Sequence, residues 1–350
     1  MLGFLIYIPT LFFIPHYFFL VPLFYLFLFK KDADFKINNN EIFLFFIVFL
    51  MLINYLIFAE NTDDIIEILP YPVLMIVSLL IAKNLKERDL NILLFLIIFE
   101  VFIGIVQFKL GVYDIFGSSL NLDYGEGLLY FNRVRGLSDN VAPFALKILI
   151  GCYLVFILNY HRNIKILLYL ILFFGLAVSF SRAAILAFLI LFCLSFLRSF
   201  RVKSWKTIVV ILLGTLVFTV MYNLYFDILF EQLTRGTGEI EGSGREVIWK
   251  DFIAFIENNF FFGNGSHKLM VESSYYGIAH AHNSFLQFFA TNGFLISIIM
   301  LLWVILNVNK HNFEVISSIL IFSVFNYGIF WGISIFDILF YYFLLYSKKV

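Results

Sequence analysis

The sequence predicts an all-α polytopic membrane protein with eleven or twelve transmembrane helices and two long extracytoplasmic loops. Three observations lead there. Hydrophobic residues fill 62% of 350 positions and charged ones only 14%, against about 25% in a soluble domain, and the mean hydropathy is +0.95. Apolar runs of the length a bilayer demands recur along the whole chain. Lys and Arg fall in alternate connections between them.

A spanning helix needs roughly 20 apolar residues. Ten runs after residue 40 meet or approach that length: 41–59, 65–82, 90–108, 140–158, 164–179, 183–200, 207–226, 283–307, 313–329 and 334–346. The stretch 3–29 adds one long helix, or two short ones broken around Pro15. It lacks the basic start and small-residue cleavage site of a removable signal peptide, so it is expected to be the first membrane segment. The chain reads as one membrane domain over 1–350, without internal repeats.

Cytoplasmic loops hold excess Lys and Arg. Alternate connections contain Lys30, Lys31 and Lys36; Lys83, Lys86 and Arg88; Arg162 and Lys165; Arg198, Arg201, Lys203 and Lys206; Lys310; and Lys348 with Lys349. These are fifteen of the 24 basic residues, and all fall on one side. The opposite, outer side then receives the two long loops, 109–139 and 227–281. The formal net charge of zero argues against a nucleic-acid partner. Cys152 and Cys193 lie in separate apolar runs and suggest neither a disulfide framework nor a zinc site.

Within the second loop, Ser243-Gly244-Arg245-Glu246 has the spacing of a capping box. Ile248, Trp249, Phe252, Phe255 and Ile256 then recur at helical intervals. They predict an amphipathic interfacial helix lying on the bilayer surface, with Trp249 at headgroup level. Arg245 falls in its first turn, where backbone N–H groups and the helix dipole favour an anion. It is a candidate phosphate or pyrophosphate clamp; pairing with lipid headgroups is the plainer alternative. Arg182 sits in Ser179-Phe180-Ser181-Arg182, a tight outer connection where basic residues are not expected. It either snorkels or faces an outward cavity as a fixed cation. Arg133 and Arg135 form a third outer cluster, with ordinary loop solvation as the alternative.

His280-Ala281-His282-Asn283-Ser284 stands where the second loop meets an apolar run. Ser284 and Gln287 again have capping-box spacing, which places the helix start there. His282 would project near that helix N-terminus, held neutral and able to accept a proton. An imidazole titrates near pH 6.5 when unperturbed. His280 and His282 would point to opposite faces if both were helical, so one of them is expected in the site. A purely structural interfacial histidine is the alternative for each.

Together these segments resemble the O-antigen ligase and polymerase (Wzy/WaaL-type) family of bacterial envelope glycosyltransferases. The matching motifs, in order, are Arg133-Val134-Arg135-Gly136-Leu137-Ser138-Asp139-Asn140 and Ser179-Phe180-Ser181-Arg182-Ala183-Ala184. Gly244-Arg245 with Trp249 and Phe262-Gly263-Asn264-Gly265 come next. His280-Ala281-His282-Asn283-Ser284-Phe285-Leu286 with Asn292-Gly293 completes the set.

The resemblance implies a GT-C-like membrane fold and a metal-independent transfer without cofactor. It takes place at the periplasmic face of the bacterial inner membrane. The donor it implies is an undecaprenyl-pyrophosphate-linked oligosaccharide, and the acceptor a glycan hydroxyl. The bilayer, and other surface-polysaccharide assembly proteins, would be further partners. It assigns His282 as general base, Arg182 and Arg245 to the pyrophosphate, and Arg135 and His280 to substrate contact.

Within that family a polymerase extends another lipid-linked repeat unit, and a ligase moves the glycan to lipid A–core. The short chain leans to polymerase, although the Arg-x10-Gly pattern of some polymerases is missing. A rival of another class is a polytopic transporter or flippase, which places polar groups near mid-membrane. Its candidates here are Pro70, Pro72, Glu100, Gln107 and Lys147.

Overall fold

The computed structural model describes residues 1–11, 14, 16–58, 70–110, 134–199, 245–273 and 277–347. Its helices are α1 (Leu2–Tyr7), α2 (Val21–Leu28), α3 (Asn39–Ile57), α4 (Tyr71–Lys83), α5 (Glu87–Leu110) and α6 (Val141–Ile157). They continue with α7 (Arg162–Ser179), α8 (Arg182–Ser199), α9 (Arg245–Asn258), α10 (Ser284–Asn307), α11 (Phe313–Phe325) and α12 (Ile335–Tyr341). The last runs on as a π-helical turn over Tyr342–Tyr346. One antiparallel hairpin, β1 (Val271–Ser273) with β2 (Gly277–Ala279), pairs Val271 with Ala279 and Ser273 with Gly277. The protein is an all-α polytopic membrane protein.

By length and composition, α3, α5, α7 and α10 can each cross a membrane, and shorter apolar helices pack among them. Each long helix turns a mixed face inward and large apolar groups outward. On α3, Leu44, Ile47, Val48 and Met51 are buried, while Phe46, Phe49, Ile53 and Leu56 are exposed. On α5, Leu93, Ile97 and Val101 face in, and Phe95, Phe99, Phe102 and Val106 face out. Hydrocarbon is the medium in which such an outer surface costs nothing.

Several boundaries differ from the sequence expectation. The 3–29 stretch is broken into short helical pieces, because Pro9 and Pro22 each open a new helix at a position where no N–H is needed; Pro15 lies outside the described residues. The run 313–329 is helical only to Phe325. Residues 326–334 leave the helix and fold back as a loop between α11 and α12. The expected spans 65–82 and 207–226 lie partly and wholly outside the described residues, as do residues 111–133 and 227–244 of the two long loops.

Connections that the Lys/Arg alternation assigns to one side meet at one end of the bundle. Lys30 donates to the Asn84 carbonyl at 2.5 Å, and Lys83 bonds the Lys36 carbonyl and pairs with buried Glu41 at 2.8 Å. Tyr160 donates to Asn91. Arg198 bonds the Lys310 carbonyl at 2.6 Å and Glu314 at 2.8 Å. Ser318 of α11 meanwhile bonds the Ala187 carbonyl of α8 at 2.5 Å. Helices α8 and α11 are therefore antiparallel, and Arg182 lies at the opposite end of the bundle, with Phe325.

The polar groups named for a transporter hold the first loop in place. Glu100 and Lys147, both buried, form an ion pair at 2.6 Å. Glu100 also accepts from Tyr7 Oη at 2.6 Å, the Leu137 N–H at 2.9 Å and Ser138 Oγ at 3.2 Å. Gln107 accepts from the Gly136 N–H and donates to the Gly136 carbonyl, each at 2.9 Å. Irregular backbone survives at membrane depth when its polar groups find protein partners in this way.

Candidate active site

The site is built on a break in α10. Gly293 has φ 76° and ψ 177°, outside helical values, which frees carbonyls one turn earlier. The turn after α9 fills the gap. The Asn264 N–H donates to the Ala290 and Thr291 carbonyls at 2.8 and 3.1 Å, and the Ser266 N–H to Thr291 at 2.8 Å. The Phe294 N–H returns to the Phe260 carbonyl at 2.9 Å. Backbones approach so closely that a Cβ on Gly263 would sit 2.5 Å from the Ala290 oxygen, and one on Gly293 would collide with the Phe261 carbonyl. Phe262-Gly263-Asn264-Gly265 and Asn292-Gly293, two separate motifs in the sequence, thus form one lock.

On this lock α9 lies against α10. Ile248, Phe252 and Ile256 are buried with Leu269, Ala279, Ala281 and Ala290 in a second, smaller core. The apolar face of α9 is therefore covered by the protein itself. Trp249 Nε1 donates to the Ala281 carbonyl at 2.7 Å. Gln287 accepts from the Ala281 N–H at 2.8 Å and donates to the Leu269 carbonyl at 2.6 Å. Ala281 is thus gripped through both its backbone groups, and the histidines on either side inherit that fixity.

The helix start falls one residue earlier than the Ser284–Gln287 spacing suggests. Asn283 is the N-cap, its side-chain oxygen accepting from the N–H groups of Phe285 and Leu286 at 2.9 and 3.0 Å. Ser284 is occupied elsewhere: its Oγ donates to the Asn326 carbonyl at 3.3 Å and accepts from Gly328 and Ile329 at 2.9 and 3.1 Å. Helix α9 begins at Arg245, while Ser243 and Gly244 lie outside the described residues.

His282 has φ 49°, a left-handed conformation that costs a non-glycine residue of order 1–3 kcal/mol. That turn brings the two imidazoles together, with ring centroids 4.1 Å apart. The expectation of one histidine in the site and one pointing away is therefore corrected, because neither is helical. The His282 N–H donates to His280 Nδ1 at 3.2 Å. Neutral His280 consequently carries its proton on Nε2 and presents a donor. Ring contacts with Tyr327 and Trp331, at 5.4 and 5.6 Å, complete its surroundings.

Cations surround the pair. Burial, then the nearby Arg245 guanidinium, lowers the His282 pKa to about 4. Burial, then His282, Lys268 and Arg245, lowers that of His280 to about 3. Both imidazoles are neutral at pH 7, through burial and neighbouring charge more than through the helix N-terminus. Arg245 Nη1 donates to the Phe325 carbonyl, and Nη2 lies 3.5 Å from Asn326 Oδ1. Lys268 Nζ stands 3.1 Å from the centre of the Trp331 ring.

The structure brings His280, His282 and Arg245 into one cluster. Arg182 caps the same end of the bundle, at the start of α8 after the left-handed Phe180, with antiparallel α11 ending beside it at Phe325. Arg135 sits at that end too: its loop is tied to Gln107, and neighbouring Phe108 meets Phe180 with ring centroids 6.5 Å apart. Arg135 Nη1 lies 3.4 Å from the Asp139 carbonyl of its own loop; Arg133 lies outside the described residues. Lys268, Tyr327 and Trp331 belong to the cluster without having been singled out in the sequence. Tyr327 and Trp331 are hidden at the end of an apolar run, and only Asn326 and Gly328 hint that the helix has stopped.

A cavity of about 180 Å³ opens one turn below the histidines, between α10 and α11. Its lining is apolar and includes Phe285, Phe288, Phe289, Met300, Leu320 and Phe330.

One family model matches this part of the chain. Residues 167–301 match the family model for O-antigen ligase. Arg182, Arg245, His280 and His282 all lie within the matched domain, and Arg135 precedes it. The domain also contains the whole Gly263–Gly293 lock and most of the cavity wall. No curated protein and no solved structure matches the chain. The match therefore supports a glycosyltransferase-type activity of the ligase and polymerase class in a multi-pass membrane protein.

Proposed function

We propose that the protein transfers an undecaprenyl-pyrophosphate-linked glycan to a sugar hydroxyl of an acceptor repeat unit, as a surface-polysaccharide polymerase. The reaction takes place at the periplasmic face of the inner membrane. The observation that carries this is the neutral His280–His282 pair fixed beside Arg245 within the O-antigen ligase domain. His282 takes the proton of the acceptor hydroxyl, and the oxygen attacks the anomeric carbon of the donor's reducing-end sugar. The bond from that carbon to the pyrophosphate oxygen breaks, its electron pair leaving with undecaprenyl pyrophosphate. His282 then releases its proton to water.

Each group has a physical task. Pyrophosphate needs its growing charge stabilised rather than protonated, and preorganised guanidinium groups at Arg245 and Arg182 do this without reorganising. His280 Nε2–H donates to substrate oxygen. The apolar cavity between α10 and α11 receives the first isoprene units of the donor. Arg135 contacts the glycan from the neighbouring loop. The reaction needs no metal and no cofactor.

A second reading takes the family description at its word: the acceptor is lipid A–core and the protein a ligase. Deleting the gene and separating the envelope glycans on a gel distinguishes them. Loss of a polymerase leaves core capped by a single repeat; loss of a ligase leaves bare core with lipid-linked polymer. An unaltered ladder contradicts both.

A further inference from the structure

Beside His280 the chain builds an aromatic wall. Tyr327 and Trp331 pack with ring centroids 4.4 Å apart, both half-buried. They stand on the 326–334 loop, which is fastened on every side. Tyr71 Oη donates to the Phe330 carbonyl at 2.8 Å and Ser78 Oγ to Gly332 at 2.7 Å. Asp337 accepts from the Trp331 N–H at 3.2 Å, and Ser284 holds Gly328 and Ile329. Gly332, at φ 103°, permits the turn. Anchoring on this scale goes beyond what joining two helices requires.

Lys268 stacks on the Trp331 ring and lies 5.6 Å from the centre of Tyr327. A cation over one aromatic face fixes the ring and places N–H donors on that side of it. Flat aromatic surface with hydrogen-bond donors beside it suits a pyranose. The sugar's C–H bonds, slightly positive, favour the negative ring face, and its hydroxyls take the donors.

We propose that Tyr327, Trp331 and Lys268 form a subsite for a sugar ring of the glycan substrate. It rests on the transferase reading above and extends it. The two rings adjoin His280, which places a bound pyranose beside the histidine pair.

The test uses the full-length protein in lipid nanodiscs and two probes. One is the repeat-unit oligosaccharide freed from the strain's own surface polysaccharide by mild acid; the other is inorganic pyrophosphate. Trp331→Ala is expected to weaken oligosaccharide binding about tenfold, with Trp331→Phe recovering most of it and Lys268→Met falling between. Pyrophosphate binding is expected to stay at the wild-type level in all three, which also reports a folded site. Wild-type oligosaccharide affinity in Trp331→Ala, with transfer still lost in His282→Ala, overturns the subsite and leaves the transferase intact. Full transfer activity in His282→Ala removes the transferase reading, and the subsite with it.

Discussion

The imidazole rings of His280 and His282 lie 4.1 Å apart although a single residue separates them in the chain. Helical backbone would send the two side chains to opposite faces, and extended backbone would leave them on one face about 7 Å apart. The left-handed turn at His282 folds them together, and Trp249 and Gln287 hold the intervening Ala281 from both sides. Two bases at this distance cannot both be charged, and Arg245 and Lys268 reinforce the restriction.

From this follows a pH dependence. The His282 pKa is lowered to about 4, so the neutral base is present above that pH and lost as pH falls through it. The kcat/KM profile of the free protein is expected to stay level from neutrality down to about pH 5 and to fall near pH 4. Bound pyrophosphate, being anionic, raises the pKa, so the acid limb of kcat is expected at higher pH than that of kcat/KM. The same depression makes the local fold most stable above pH 6.5, and it is progressively lost between there and pH 4. A kcat/KM limb at pH 6.5 contradicts the burial of this imidazole.

Alanine at Gly263 or Gly293 tests the lock beneath the site. Both have positive φ, and both lack room for a Cβ. Each substitution is expected to cost about 1–3 kcal/mol in backbone strain alone, and more from the backbone collision. Thermal unfolding in nanodiscs measures it. An unchanged transition in both variants contradicts the close approach of the two turns.

Trp249→Phe removes the indole N–H together with one ring of the side chain and leaves the Ala281 carbonyl without that donor. A loss of about 1–3 kcal/mol of local stability is expected. It should appear as faster hydrogen exchange over residues 279–283, with exchange in α5 and α6 unaltered. Uniform exchange across the histidine segment in the two proteins contradicts the anchoring role.

Lys147→Met leaves Glu100 charged and buried without its partner, at a cost of about 3–5 kcal/mol. The double variant with Glu100→Gln is expected to recover part of that stability. Because Glu100 holds Leu137 and Ser138, protease cutting near residue 137 should rise in the single variant and fall back in the double. Equal stability of all three proteins contradicts the ion pair.

Much of this was legible in the sequence. Hydropathy gave the helices, and the Lys/Arg alternation correctly grouped loops that meet at one end, such as those of Lys36 with Lys83 and Arg198 with Lys310. The segments of Arg182, Arg245 and His282 stood out because charge and imidazole are rare among so many apolar residues. Caps were less legible. Ser284 has the spacing of a cap, but Asn283 outcompetes it, and Ser284 turns to the distant 326–334 loop. The His280 tautomer depends on a left-handed torsion that no spacing encodes. Tyr327 and Trp331 were invisible for a different reason: apolar aromatic residues in an apolar run carry no signal until the helix is seen to stop at Phe325.

The central claim is that His282 is the base of a pyrophosphate-displacing glycosyl transfer. Purified protein in nanodiscs, supplied with the lipid-linked repeat unit, measures it through release of undecaprenyl pyrophosphate and growth of the glycan. His282→Ala is expected to insert and bind donor normally and to lose about 10²–10⁴ in rate. A normally inserted His282→Ala protein that elongates glycan at the wild-type rate would contradict the account.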